Sequence, residues 1–453
     1  MRLARRFFSR LLNSAMRRRD NKRLQEEMEE HLARKTADHL CSGLSPSEAR
    51  RQALVMKLGA LEALKEQYWD KAGKFEERMH RAKPARSSKQ RHGMRVFPAV
   101  VFISVLLAAS AHAQDHAPVK APNFSSDAQW IDTGAAGEKV PHSIKGYRGR
   151  VLLVDFWEYT CINCIRDFSV LKRWYAKYHT YGLDIVGVHF GEFAMGYNAD
   201  NVRDAAKRFQ LPWPLVADLQ GSIWRAYHSN VWPNRYLINQ NGDIVFHLEG
   251  EGNNRPMEEK IRELLATTQP QVHQVPLDPP ENTFAPACGI ATDETYVGDW
   301  FGRGAIANSK GYRNDGAVTD FHPEGAPADG KVMLSGRWIT QQDGATSADK
   351  HGQAQLRYHA RSVYAVLSVA NPKKALRVDL LQDGKPLDPD QAGVDVRFDA
   401  RAAYLEVGEP RMYTLVRNLA FSSHVLTLAP DAGDFVLHSF TYGNNCQQDF
   451  EPK

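Results

Sequence analysis

The chain has 453 residues, enough for about three domains at the common size of roughly 150 residues. Charged residues make up 25% and apolar residues 43%, which argues against a disordered, collagen-like or polytopic membrane protein. Residues 1–93 hold 23 Lys and Arg against 12 Asp and Glu, whereas residues 94–453 hold 35 against 41. The basic character belongs to the N-terminal fifth, so we expect no nucleic-acid partner for the main body.

Residues 1–93 are predicted to form a basic, mostly helical prefix. The run S-P-S-E at 45–48 is typical of a helix start, and apolar residues follow it at helical spacing. We interpret the segment as solvated helices rather than as a nucleic-acid arm. The Arg-rich start, the E-E-x-x-x-H-L run and S-P-x-E-A-R-R-x-A-L resemble the permease prefix domain of some bacterial permeases.

Residues 94–113 have the pattern of a signal peptide or a membrane anchor. Val96–Ala109 carries no charge, Arg91 and Arg95 precede it, and A-H-A follows at 111–113. Fourteen residues are short for a spanning helix, which needs about 20. Either translation begins at Met94, or the prefix is cytosolic and the segment is an uncleaved anchor. In both cases the chain after about residue 114 is expected in the periplasm or cell envelope, because the positive flank stays inside.

Residues 120–268 alternate strand and helix signals. Strands are predicted at Val151–Trp157, Asp184–Phe190, Leu215–Ala217, Tyr236–Asn239 and Ile244–Leu248. Helices are predicted at Cys164–Tyr178, Asn201–Phe209, Ser222–Tyr227 and Met257–Leu265. Asn241-Gly242 is a strong hairpin signal between the last two strands. The order predicts an α/β domain, with a mixed sheet covered by helices on both faces.

Residues 269–286 are rich in proline and are predicted to be a stiff linker. Residues 287–453 show short apolar runs separated by Gly, Asp and Pro. Such runs occur at Val332–Ile339, Gln355–Tyr358, Val363–Val369, Leu376–Leu381, Val394–Phe398, Ala403–Val407, Met412–Val416, His424–Leu428 and Phe435–Tyr442. This spacing predicts an all-β sandwich domain.

The pair Cys161 and Cys164 carries the chemistry that the sequence predicts. C-x-x-C serves either as a redox dithiol or as half of a zinc site, and no second C-x-x-C or H-x-x-x-H run supplies the missing ligands. The pair follows an apolar strand where a helix begins, so the helix dipole is expected to lower the pKa of Cys161 below about 8.5. The spacing lets Cys164 resolve a mixed disulfide. We therefore favour a redox dithiol, with no metal and no cofactor.

Two further residues support this interpretation. Asp155 stands in the apolar strand six residues before Cys161, where alternation places it under the active-site turn. Burial is expected to raise its pKa, so that it could exchange a proton with Cys164. Pro233 directly precedes a strand and could hold a cis peptide bond that presents the backbone of Val231 and Trp232 to a docked peptide.

The strings D-F-W-x-x-x-C-x-x-C, F-W-x-Y-x-C-I-N-C, G-V-H-x-x-E-F and W-P-x-x-Y-L-I resemble the thioredoxin superfamily. Within it they are most similar to the extracytoplasmic thioredoxin-like part of DipZ-type proteins, relatives of the TlpA/ResA group. The resemblance implies a thioredoxin fold over residues 120–268, with Cys161 attacking, Cys164 resolving and Pro233 in cis. Thr160 replaces the Trp that precedes the first Cys in thioredoxins, which changes the predicted docking surface formed with Trp157. His189 and Glu192 fall at the predicted rim of the site.

The C-terminal domain raises two more expectations. Cys288 and Cys446 lie near its ends and could form a structural disulfide, or remain two buried thiols. The strings L-x-G-x-W and D-G-K-P-L resemble the carbohydrate-binding-module-like domain of DipZ-type proteins. Trp300, Trp338 and Tyr358 are therefore candidate sugar platforms, although a core role is the more common use of such aromatics.

Together these features predict an envelope thiol–disulfide oxidoreductase that exchanges electrons with protein disulfides, with reduction favoured. Its partners are expected to be client disulfides and an envelope or membrane electron donor. The alternatives are a glycan- or partner-binding envelope protein with an ancillary redox domain, or a thiol peroxidase. The peroxidase pattern P-x-x-x-T-x-x-C is missing, because Glu158 stands three residues before Cys161.

Overall fold

The computed structural model describes residues 119–131, 140–279, 291–299, 304–308, 313, 315–371, 375–400 and 402–443. The predictions made for the prefix, for residues 94–113 and for the pair Cys288 and Cys446 lie outside these ranges. In the described part of the chain, no helix combines the length and the apolar character needed to cross a membrane.

The first domain is built on a seven-stranded mixed sheet. Its strands are β1 (Val119–Lys120), β2 (Gln129–Ile131), β3 (Val151–Trp157), β4 (Leu183–His189), β5 (Leu215–Ala217), β6 (Asn234–Ile238) and β7 (Asp243–Glu249). Its α-helices are α1 (Ile162–Tyr178), α2 (Ala199–Arg208), α3 (Ser222–Ala226) and α4 (Asn254–Ala266). The strand order is β1-β7-β6-β3-β4-β5-β2, in which β3, β4 and β5 are parallel and the other pairs are antiparallel.

The central strand β3 explains why the domain has two cores. All seven of its residues are buried, as expected for a strand covered on both faces. Val151, Leu153 and Trp157 point to the face covered by α1, α2 and α4, and the alternate residues point to the face covered by α3. Asp155 shares the parity of the first set, so it lies on the α1 side.

The Pro-rich segment starts on the surface of the first domain. Pro270–Gln274 forms a 3-10 helix, and Val272 is fully buried in the core beside α4. The Asp278 carboxylate accepts a hydrogen bond from Arg173 Nε at 2.9 Å and pairs with Lys177, both on α1. Residues 270–278 are therefore attached to the helical face of this domain.

The second domain is strand-rich. Its strands are β8 (Thr295–Tyr296), β9 (Thr319–Phe321), β10 (Val332–Gln341), β11 (Gly344–Ser347), β12 (Gln353–Val369), β13 (Leu376–Gln382), β14 (Lys385–Pro386), β15 (Arg397–Phe398), β16 (Ala403–Val407), β17 (Arg411–Pro430) and β18 (Phe435–Gly443). They pair into one network of eleven strands, because β12 joins β10 along its first half and β18 along its second half. One large apolar cluster fills this domain.

Candidate active site

Cys161 and Cys164 lie at the start of α1, directly after β3. Cys161 is the N-cap residue, and its Sγ accepts a hydrogen bond from the Cys164 backbone N–H at 3.5 Å. Both cysteines are free thiols, Cys161 half-buried and Cys164 only 1% exposed. The outer sulfur is thus accessible to a partner, while the inner sulfur can react only with its neighbour.

The two thiols differ in acidity. A hydrogen bond with the Cys164 thiol lowers the pKa of Cys161, but desolvation and the carboxylates of Glu192 and Glu158 outweigh it, so the pKa lies above its ordinary value. The expectation of a lowered pKa considered only the helix start and left out desolvation and these carboxylates. Desolvation, followed by the hydrogen bond to Cys161, raises the pKa of Cys164 much further. Cys161 is therefore the more acidic thiol and the better nucleophile of the pair.

Asp155 lies beneath the inner sulfur. It is 1% exposed, and its Oδ1 has no hydrogen-bond partner among the described residues. Desolvation raises the pKa of Asp155 to about 7, against the opposing effect of Arg235. The charge of Asp155 in turn helps to raise the pKa of Cys164. A carboxyl group of this pKa is a suitable proton acceptor near neutral pH.

Arg235 is a buried cation that the sequence analysis missed. It stands opposite Asp155 in the antiparallel pairing of β3 with β6, and its guanidinium contacts Asp167 Oδ2 at 3.2 Å. It also donates to the Gly250 carbonyl at 3.0 Å and to the Asn254 side chain. The signals that could have revealed it are a lone cation in an apolar strand, and an acid on α1 three residues after Cys164.

Glu158 and His189 form a second buried pair beside the Cys161 turn. Both side chains are 0% exposed, and His189 Nε2 lies 3.5 Å from Glu158 Oε1. Glu158 Oε2 accepts the backbone N–H of Thr160 at 2.5 Å and also its hydroxyl. A charged residue in the strand-to-helix turn was the available sequence signal for this pair.

The structure places Trp157 and Thr160, both predicted to dock partners, inside the domain. Trp157 is 0% exposed and packs edge-on against the rings of Phe168 and His189. Thr160 is 3% exposed and is bound to Glu158. Their side chains therefore shape the turn from within rather than contact a partner directly.

The loop before β6 forms the other wall of the site. The Trp232–Pro233 peptide bond is cis, and the Cys161 thiol donates to the Trp232 carbonyl at 3.9 Å. The Trp232 indole packs against Trp224, with ring centroids 4.7 Å apart, and stacks on Phe190 at 6.1 Å. Trp232 is half-buried, as is its neighbour Val231. The structure thus brings Cys161, Cys164, Asp155 and this loop together.

Family comparisons agree with this geometry. Residues 119–247 match the AhpC/TSA family, and residues 292–443 match the family described as thioredoxin-like C-terminal domain. Both parts of the chain are thus similar to thioredoxin-like families. The predicted resemblance to DipZ-type proteins and to the ResA group of thiol-disulfide oxidoreductases is confirmed.

Individual relatives match different parts of this chain. Protein DipZ of Mycobacterium bovis is 32% identical over 330 residues, which are 71% of this chain and 43% of that protein. Thiol-disulfide oxidoreductase ResA of Geobacillus kaustophilus is 31% identical over 103 residues, 23% of this chain and 56% of that protein. A solved thiol-disulfide isomerase from Corynebacterium glutamicum is 17% identical, with a TM-score of 0.28 over 32% of this chain and 97% of its own. The chain thus spans less than half the length of the DipZ protein it matches.

Two of the three predicted sugar platforms of the second domain are buried. Trp338 and Tyr358 are 0% exposed, so neither ring can stack on a ligand. The Trp338 indole donates to the Ser335 carbonyl at 2.9 Å, and the Tyr358 hydroxyl donates to Gln382 Oε1 at 2.7 Å. Both aromatics are core residues, and Trp300 lies outside the described ranges. Within those ranges, no three His, Cys, Asp or Glu side chains are grouped to hold a metal ion.

Proposed function

We propose that this chain is an extracytoplasmic thiol–disulfide oxidoreductase that reduces disulfides of client proteins with its Cys161–Cys164 dithiol. The observation that carries the proposal is the pairing of a half-buried, more acidic thiol with a fully buried one at a single helix start. The similarity to thiol-disulfide oxidoreductases supports a redox role. The client, the electron donor and the direction of transfer are part of the proposal.

The first step is attack on the client. The Cys161 thiolate attacks one sulfur of the client disulfide, and the client's S–S bond breaks as the mixed disulfide forms. The client's other sulfur leaves as a thiolate and takes up a proton. We expect the client backbone to approach from the side of the Trp232 carbonyl, which lies 3.9 Å from Cys161 Sγ.

The second step is resolution. Cys164 loses its proton to Asp155, and the new thiolate attacks Cys161 Sγ. The client's remaining sulfur is then released as a thiolate and takes up the proton that Asp155 received. The client has gained two electrons and two protons, and the enzyme holds a Cys161–Cys164 disulfide. An external dithiol donor must then reduce this disulfide, as expected for a protein served by an envelope electron donor.

Thiol acidity supports the proposed direction of electron transfer. A low thiol pKa stabilises the reduced form and makes a dithiol oxidising, as in DsbA-type proteins. Here the pKa of both thiols is raised. A low thiol pKa therefore does not stabilise the reduced form of this dithiol, and we expect the dithiol to be a reductant.

Two measurements test the proposal. The purified chain, kept reduced with dithiothreitol, should reduce insulin disulfides; Cys161→Ser should abolish the activity, and Cys164→Ser should trap the mixed disulfide. The reduction potential in thiol redox buffers should fall below about −200 mV. Unimpaired turnover by Cys161→Ser would overturn the function, and a potential near −120 mV would overturn the direction. Consumption of hydrogen peroxide without disulfide reduction would favour the peroxidase alternative.

The location is supported by the uncharged run at 96–109 with its basic flank and A-H-A ending. Fractionation of cells that express the full chain should recover the dithiol domain outside the cytoplasm. N-terminal sequencing of the mature protein would distinguish a cleaved signal from a retained anchor. Recovery in the cytosol would contradict this part of the proposal.

A further inference from the structure

The loop between β4 and α2 is fastened to the second domain at three consecutive residues. The Tyr296 hydroxyl on β8 donates to Glu192 Oε1. Phe193 is 3% exposed and packs with Tyr296 and Val366, and its ring lies 5.2 Å from that of His438. The Ala194 backbone N–H donates to Asp343 Oδ2 at 3.1 Å. These contacts determine where this loop lies.

The same loop forms part of the wall around the dithiol. Phe190 stacks on Trp232, whose carbonyl accepts a hydrogen bond from the Cys161 thiol. At its other end, a Cβ on Gly196 would lie 3.3 Å from Glu158 Oε1 and 2.7 Å from Gly191 Cα. The loop is thus packed between the second domain and the turn that carries Cys161, with little room to shift.

We propose that Tyr296 is a positioning residue of the dithiol site, which holds the Glu192 carboxylate beside Cys161 and so makes the second domain part of the redox centre. The role of this contact in disulfide exchange rests on the proposed function, but the contact itself does not. Tyr296 touches neither sulfur, and it acts only through Glu192.

The charges around Cys161 and Tyr296 explain how the contact between Tyr296 and Glu192 acts. Cys161 is faced by Cys164 on its own helix, by Glu158 in the preceding turn and by Glu192 from the loop, and both carboxylates disfavour the thiolate. The Tyr296 hydroxyl also lies 3.0 Å from Glu294 Oε2. The other oxygen of that carboxylate, Oε1, accepts a hydrogen bond from the Thr441 hydroxyl. A tyrosine hydroxyl has one proton to donate. By donating it to Glu192, Tyr296 stabilises the charged carboxylate at this place.

The test compares Tyr296→Phe, Glu192→Gln and the double variant in the full chain. The readout is the pH dependence of Cys161 alkylation by iodoacetamide, followed on its own peptide by mass spectrometry. Glu192→Gln should lower the apparent pKa of Cys161, so that alkylation becomes faster at any pH below that value. Tyr296→Phe keeps the ring packed on Phe193 and should shift the pKa in the same direction by a smaller amount.

The double variant and a matched control decide the outcome. Tyr296→Phe should add nothing in the Glu192→Gln background, because its effect passes through that carboxylate. Tyr442→Phe removes another hydroxyl of the second domain, one bound to Thr295, and should leave the profile unchanged. The proposal is overturned if Tyr296→Phe leaves the profile unchanged, if its shift persists in the double variant, or if Tyr442→Phe gives the same shift. Because alkylation needs no client disulfide, failure of insulin reduction would overturn the proposed function alone.

Discussion

Asp155 and Arg235 face each other across the β3–β6 pair, and both side chains are almost completely removed from solvent beneath the dithiol. Arg235 does not fully offset the cost of burying the charged Asp155 carboxylate, because its guanidinium also contacts Asp167 and donates to backbone carbonyls. The pKa of Asp155 therefore stays near 7 rather than near its ordinary value. A pKa near 7 makes Asp155 a proton acceptor at a pH close to neutral.

Asp155→Asn should slow resolution without blocking the first attack. At pH 8 the wild-type carboxylate is largely ionised and accepts the Cys164 proton, whereas the amide cannot, so resolution should slow by about 10²-fold or more. Quenched-flow mass spectrometry of the mixed disulfide measures this step. Asp200→Asn, an exposed acid on α2, is the control. Equal resolution rates for Asp155→Asn and wild type across pH 6 to 8 would contradict the assigned role.

The same substitution should stabilise the fold at high pH. The folded-state pKa of Asp155 is raised from about 3.9 to about 7, so its unfavourable effect is absent below pH 4, grows between pH 4 and 7, and is complete above pH 7. Asp155→Asn should then increase the free energy of unfolding at pH 8 by on the order of 4 kcal/mol, and by much less at pH 4.5. Urea unfolding at both values measures it. A gain of equal size at both pH values would argue against a buried carboxylate.

Arg235→Met should be strongly destabilising. It leaves Asp155 and Asp167 buried without their cation, a change that typically costs about 3–5 kcal/mol. Denaturant unfolding at pH 8 measures the loss, and adding Asp167→Asn should restore part of it. Arg203→Met breaks an exposed pair with Asp200 and should cost less than about 1 kcal/mol. If the two arginine variants lost similar stability, the buried cation would not hold the acids as described.

Trp232→Ala should weaken client binding more than it slows the reaction of the thiols. It removes the ring packed on Trp224 and Phe190 beside Cys161, but leaves both sulfurs in place. We expect KM for a protein disulfide to rise several-fold, while the reaction with a small aromatic disulfide changes little. Trp130→Ala, another half-buried indole of the domain, should leave KM unchanged. A parallel loss toward both substrates would indicate a disturbed dithiol instead.

Local sequence signals predicted the parts of the site that lie on one segment. The apolar run Val151–Trp157 is a strand as predicted, and C-x-x-C begins the following helix. In the second domain, the apolar runs Met412–Val416 and His424–Leu428 were predicted as separate strands. They belong to the single strand β17, because the polar residues between them still pair with β12 across a register shift. Periodicity cannot distinguish a bend within a strand from a turn between strands.

The missed features depend on contacts between distant segments. Arg235 faces Asp155 from 80 positions along the chain, and Tyr296 reaches Glu192 across 104 positions. The pKa of Cys161 was predicted to be lowered from its helix start, whereas desolvation, Glu192 from a distant segment and the neighbouring Glu158 raise it. No single-sequence pattern reports which charges meet in space, so the dithiol was predictable and its electrostatic surroundings were not.

The attachment of the β4–α2 loop to the second domain bears on how proteins with thioredoxin-like domains are compared. Two proteins with an identical C-I-N-C segment, but with different side chains at the positions of Tyr296 and Asp343, would hold this loop differently. Their midpoint potentials would then diverge although the reactive peptides are the same. A value measured on a thioredoxin-like domain cut from its neighbour is therefore a poor guide to the intact protein.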